Sequence, residues 1–216
     1  MCQCFARWKE DKINNLDFRD QTILQFGTSW KLLASFILLN PGSATPLKQN
    51  KLKNTFLAGQ KLPFYVNSGN YYEFTVDPLM RSLINLYSSR YPSGGVLKLY
   101  NLFNLKNQCS GTAIKQFKNN MRLPLPPPSM LTSQTDAIFL KAPVVIACGR
   151  KSSEDKDLIV ELKKYISWPD SGRLYSLSKI GTKKFKIVQA TSNTNKLIES
   201  YHPSYTCDRY GNTTTL

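Results

Sequence analysis

Apolar residues along the chain fall into short runs separated by polar punctuation. Residues 17–27 alternate enough to predict a strand, with a turn at Gly27-Thr28-Ser29. Residues 32–39 form an apolar run that stops abruptly at Asn40-Pro41-Gly42, the pattern of a buried parallel strand. Residues 46–62 are polar and predict a flexible loop or short helix. Residues 63–72 hold Phe64, Tyr65, Tyr71 and Tyr72 around Ser68-Gly69 and read as an aromatic loop. Asp77-Pro78 opens a helix to about Ser89, since Asp is a good N-cap and Pro suits the first helical position. Gly94-Gly95 precedes a second apolar strand over 96–100 that ends at Asn101. Residues 123–129 read as a stiff polyproline-like linker and 133–141 as a helix. A third strand over 144–148 ends at Gly149 and is followed by a helix over 152–166 with Ser152 as its N-cap. Residues 174–177 and 185–189 are two more short strands, after which the chain reaches Tyr201-His202-Pro203-Ser204-Tyr205.

Strands alternating with helices predict an α/β fold: a three-layer α/β/α arrangement around a central, mainly parallel sheet. Residues 1–16 are polar and charged and read as a flexible basic arm; residues 17–216 read as one α/β domain. In such sheets ligands bind beyond the carboxyl ends of the strands. Asn40, Asn101 and Gly149 are the punctuation at those ends.

Charge changes the picture. The 216 residues carry 29 Lys+Arg against 14 Asp+Glu, a net charge of +15. Such a field draws polyanions, and nucleic acid is the default partner, because each neutralised phosphate releases counterions. The basic residues are spread along the chain and no apolar run reaches the ~18 residues that span a bilayer, so a membrane is not the expected partner. No obligatory protein partner is implied either. The five cysteines are odd in number and irregularly spaced, and the N-terminus has no signal-peptide core, which together predict free thiols in the cytoplasm. Cys2-x-Cys4 with Cys207 or His202 would make a weak metal site, since no second paired-cysteine motif exists; the reading calls for no metal and no cofactor.

Phosphate-cradling glycine motifs and a nucleophile elbow are absent, and His202 is the only histidine. Against that background, the strand leading into Asn40-Pro41-Gly42 and the later His202-Pro203-Ser204 resemble the two motifs of the uracil-DNA glycosylase superfamily. The pair is most similar to its single-strand-selective monofunctional branch. The superfamily places an Asn at a core strand end between the motifs, and Asn101 is similar in character and order. A second resemblance overlaps the first. The segment 36–44, then Asp77-Pro78, then Tyr100-Asn101-Leu102-Phe103, is similar to an uncharacterised bacterial and phage family with Leu-Asn-Pro-Ser-Thr-Ala, Asp-Pro-Thr and Asn-Leu-Phe in that order.

The resemblance implies a uracil-DNA-glycosylase-like fold and hydrolysis of the N-glycosidic bond in single- or double-stranded DNA. Such an enzyme needs a flipped base, a positioned water and a donor for charge developing on the base oxygen. Asn40 would hold the water through its side-chain carbonyl and, as an amide, would not act as a strong base. His202 would donate to the base oxygen. Asn101 has the donor and acceptor that a pyrimidine edge requires. Phe64 or Tyr65 would stack on the base, worth about 1–3 kcal/mol. Ser43 and Ser204 would hold phosphates, Tyr205 would fill the gap in the duplex, and Lys48 and Arg150 would contact the DNA. The flanks depart from the superfamily: Ser43-Ala44-Thr45 follows the first motif and Tyr-Thr-Cys-Asp-Arg the second. That points away from uracil and toward a larger or modified pyrimidine, and removing modified bases from phage DNA is a use such a scaffold would serve. Two alternatives stand beside it: a non-catalytic nucleic-acid-binding module on the same fold, and a nucleotide or nucleoside hydrolase with the same N-glycosidic chemistry.

Overall fold

The computed structural model describes residues 2–47, 70–181, 184–190 and 199–203. Eight strands form one sheet: β1 (Cys2–Asp11), β2 (Leu16–Gly27), β3 (Leu32–Leu38), β4 (Tyr71–Phe74), β5 (Gly94–Asn101), β6 (Val144–Ile146), β7 (Leu174–Gly181) and β8 (Lys184–Gln189). The α-helices among the described residues are α1 (Pro78–Ser88), α2 (Ser110–Met121), α3 (Arg150–Ser153) and α4 (Lys156–Ser167). The strand order is β4-β1-β2-β5-β3-β6-β7-β8.

The chain is thus α/β, but its sheet is mixed rather than mainly parallel. The parallel pairings join β5, β3, β6 and β7 in one central block. Antiparallel strands flank it, with β4, β1 and β2 on one side and β8 on the other. The cause is local connectivity: β1–β2 and β7–β8 are adjacent hairpin pairs, whereas parallel pairing needs a long crossover. Side chains alternate across the block. Leu24, Phe36, Leu38, Leu97, Leu99, Val145 and Ala147 face α1 through Met80 and Leu83. Ile37, Leu39, Tyr100, Val144 and Ile146 face α2 and α4 through Ala113, Phe117, Leu158 and Leu162.

Several expectations are corrected. The presumed basic arm is β1, paired along its length with β2 and burying Cys4, Phe5 and Ala6. Its charges did not read as a strand because their partners are distant: Arg7 donates to Asp20 and, at 3.0 Å, to Asp136. Tyr71 and Tyr72 belong to β4, not to a loop; the rest of the expected aromatic loop, residues 63–69, lies outside the described residues, and Asn70 is described and exposed. The expected helix over 133–141 is a single 3-10 turn, Gln134–Asp136, and Leu140 takes a positive φ of 47° incompatible with a continuing helix. Asp155, not Ser152, caps the long helix after β6, accepting from the Asp157 and Leu158 amides.

One core position is unexpected. Lys98, in the middle of β5, is completely buried, with its Nζ 5.5 Å from the centre of the Tyr100 ring and within the fields of Asp20, Arg7 and Asp136. Burial pulls its pKa down to about 7.

Candidate active site

The carboxyl ends of β3, β5 and β6 open into one cavity of about 350 Å³. Asn40, Asn101, Arg150 and His202 all line it.

Asn40 follows β3 and is held by the loop that leaves β5. Its side-chain NH2 donates to the Pro41 carbonyl at 2.9 Å and to the Asn107 carbonyl at 2.8 Å. Both partners are acceptors, so the orientation of the amide is fixed and Oδ1 is left as the acceptor. Asn107 is itself braced, donating to Gln116 Oε1 at 3.0 Å and accepting from the Cys109 amide at 2.8 Å.

Asn101 is the buried last residue of β5, in register with Leu38 of β3. Its backbone carbonyl accepts from the Tyr165 hydroxyl of α4 at 2.9 Å, which pins the strand end. Among the described residues no hydrogen bond occupies its side-chain amide, which stays available at the cavity wall.

His202 reaches the cavity from the far edge of the parallel block. The Tyr201 amide donates to the Leu177 carbonyl of β7 at 2.8 Å, and His202 packs on Gly149. Gly149 has φ 82°, and a Cβ there would sit 2.8 Å from the His202 Cβ. Glycine is therefore required twice over, for its backbone and for the close approach. Burial lowers the imidazole pKa to about 4, so His202 is neutral at pH 7 and carries one N–H donor.

Arg19 and Thr22 of β2, Asp77 at the start of α1, Asn107 before α2 and Lys151 also line the cavity. Asp77 Oδ1 accepts from the Met80 amide at 3.0 Å, as expected of an N-cap, while Oδ2 lies 3.2 Å from where a Cβ on Gly42 would stand. Arg19, Arg150 and Lys151 outnumber the single carboxylate on the wall, so the cavity favours an anionic or electron-rich guest. Two of these cations are engaged: Arg150 pairs with Glu154 at 2.7 Å, and Lys151 donates to Ser110 at 2.9 Å. Cys148 is on the wall too, but burial pushes its thiol pKa far up and its Sγ donates to the Ile37 carbonyl, so it is no nucleophile at neutral pH.

Ser43 is exposed and stands outside the lining residues. Lys48, Phe64, Tyr65, Ser204 and Tyr205 lie outside the described residues. Sequence reasoning missed Arg19, Thr22 and Asn107 altogether, and it saw Asp77 only as a helix cap. No local signal marks the first three, because strand pairing and the loop from β5 bring them to the cavity. Among the described residues no cluster of His, Cys, Asp and Glu is arranged to hold a metal ion. Cys4, one of the weak metal candidates, is buried in the core with its thiol 3.7 Å from the Met80 sulfur.

Fold and site together define an α/β protein with a cavity at the carboxyl ends of its parallel strands whose lining includes amide, hydroxyl and cationic side chains. Neither a protein-family model, nor a curated protein, nor a solved structure matches the chain.

Proposed function

We propose that the chain is a monofunctional DNA N-glycosylase of the uracil-DNA glycosylase type, acting on a modified or uracil-like pyrimidine. The observation that carries this reading is the presence of Asn40, Asn101 and His202, from three separate stretches of sequence, on the wall of one cavity. The cavity volume of about 350 Å³ falls in the range of roughly 300–1,000 Å³ typical of small-ligand sites, enough for a flipped base.

In this reading the base enters with its C2 oxygen toward His202 and its N3–C4 edge toward Asn101. The bond from C1′ to N1 breaks, and its electron pair leaves with the base. The neutral His202 N–H donates to the C2 oxygen as negative charge develops there, an interaction worth about 3 kcal/mol in comparable sites. The Asn40 Oδ1, fixed by the two carbonyls that hold its NH2, accepts a hydrogen bond from the water that adds to C1′, and the water's proton passes to solvent. Because an amide does not titrate, Asn40 positions the water without deprotonating it, and the bond-breaking step leads. The net charge of +15 supplies the attraction for the DNA backbone. Among the described residues no helix is long and apolar enough to cross a membrane, and the working location in this reading is the cytoplasm.

The test is incubation of the protein with single- and double-stranded oligonucleotides, each carrying one candidate pyrimidine, followed by alkali to break the strand at abasic sites. Salt-sensitive binding without scission would instead favour a binding module, and turnover of free nucleotides would favour a nucleotide hydrolase.

A further inference from the structure

Arg19 is buried, with 4% of its surface exposed, and it lines the cavity. Its Nε has no hydrogen-bond partner, and among the described residues the guanidinium makes one hydrogen bond, a long one of 3.3 Å from Nη1 to the Ala44 carbonyl. The guanidinium lies 5.7 Å from the centre of the Phe74 ring. Asp77 acts on it through space but forms no ion pair with it among the described residues. A buried cation is costly unless a counter-charge or a full set of acceptors meets it. Among the described residues no ion pair meets it, and a single long hydrogen bond is its only acceptor contact.

Thr22 repeats the pattern. It is buried, it lines the same cavity, and its Oγ1 has no partner. Residues three apart on a regular strand face opposite sides. Arg19 and Thr22 share a side only because β2 carries a bulge. Phe5 pairs with Ile23 but Arg7 with Asp20, so one residue is inserted, and Gln21 takes a φ of 51° to absorb it. Bulges of this kind re-aim side chains at sites. The fold thus holds a strained, fully buried glutamine so that Arg19 and Thr22, each with a buried polar atom lacking a partner, line one cavity.

The sheet order gives the ligand's orientation. His202 enters beside β7, Asn40 follows β3, Asn101 ends β5, and Arg19 and Thr22 lie on β2, the next strand beyond. A pyrimidine held by its C2 oxygen at His202 and its N3–C4 edge at Asn101 turns its C4–C5 side toward β2. We propose that Arg19, with Thr22, recognises an anionic, acceptor-rich substituent at C5 of the base, a carboxylate being the smallest such group. This rests on the glycosylase reading for the base's orientation, while the anion subsite itself rests on β2 alone.

The experiment uses the full chain and single-stranded oligonucleotides that carry 5-carboxyuracil, 5-hydroxymethyluracil or uracil at one position. Binding is measured by anisotropy, and base release by mass spectrometry. The 5-carboxyuracil strand is expected to bind or react about 10- to 100-fold better than the uracil strand, the gain from charge-assisted hydrogen bonds to a buried guanidinium. Arg19→Met is expected to erase that preference while leaving the melting temperature equal or higher, because it removes a buried cation that forms no ion pair among the described residues. Equal handling of the three strands by the wild-type protein overturns the proposal, and that result does not depend on any variant's folding. Excision of uracil with no preference sinks this inference and leaves the glycosylase reading intact. Tighter, Arg19-dependent binding of the carboxylated strand without release of any base supports the subsite and sinks the glycosylase reading.

Discussion

Gly149 and His202 touch so closely that a methyl group on the glycine would occupy the histidine's place: a Cβ at Gly149 would lie 2.8 Å from the His202 Cβ. The end of β6 therefore sets the position of the one histidine in the chain. Gly149→Ala is expected to cost about 1–3 kcal/mol of stability, because φ is 82° there, and to displace the imidazole from the cavity. Thermal melting checks the first effect. A fall in base release by about two orders of magnitude, the scale for losing one positioned donor, checks the second.

Asn40 offers a counter-intuitive test. A carboxylate is a better base than an amide, yet Asn40→Asp is expected to lower the rate. The Asn40 NH2 donates to the carbonyls of Pro41 and Asn107, and an aspartate would face both with acceptors only. Leaving those groups unpaired costs about 1–3 kcal/mol. The variant should melt earlier and release base more slowly than the parent; a faster variant would show that the amide orientation derived above is wrong.

The pH behaviour of His202 follows from its burial. Its pKa falls from 6.5 to about 4 in the fold, so the unfolded chain binds a proton over a range in which the folded chain does not. The stability it contributes is complete above pH 6.5 and is lost as pH falls from 6.5 to about 4. Because the chain has a single histidine, one imidazole resonance reports it directly by NMR. That signal should stay in its neutral position down to about pH 5. Base release should likewise show no step from His202 between pH 5 and pH 8, a range that brackets the ordinary histidine pKa of ~6.5.

Lys98 has the same sign of linkage in another window. Burial lowers its pKa from 10.5 to about 7, so its contribution to stability rises as pH is raised from about 7 to 10.5. Lys98→Met should flatten that rise and melt higher than the parent at pH 7. Asp20 keeps Arg7 as its partner in the variant. Urea midpoints across pH 7 to 10 measure both effects.

The sequence was most readable where strands are buried on both faces. β3, β5 and β6 are mostly apolar runs, interrupted by Ser35 and Lys98, and the chain leaves them at Asn40, Asn101 and Gly149. Pro at the first turn after Asp77 gave α1 almost to the residue. It was least readable where long-range pairing overrides local character. β1 looks like a charged arm until Arg7 meets Asp20 and Asp136. α2 does not stand out locally because its apolar residues are interleaved with Lys, Gln and Asn, although Ala113 and Phe117 are spaced for one buried face. Arg19 and Thr22 were invisible as a pair, since only the bulge at Gln21 puts them on one side of β2. Asn40, Asn101 and His202 could be named because each closes a short motif. That they line one cavity is a property of sheet order, which no tripeptide encodes.

In the proposed function, Asn40, Asn101 and His202 make one site for N-glycosidic hydrolysis. Single-turnover release of free base from pyrimidine-substituted oligonucleotides, followed by mass spectrometry, tests it most directly. With at least one modified pyrimidine the wild-type protein should release the intact base and leave an alkali-labile site, and Asn40→Ala, Asn101→Ala and His202→Ala should each slow release by about 10²-fold or more with DNA binding retained. No released base from any substituted strand, or release that survives His202→Ala and Asn40→Ala unchanged, would contradict it.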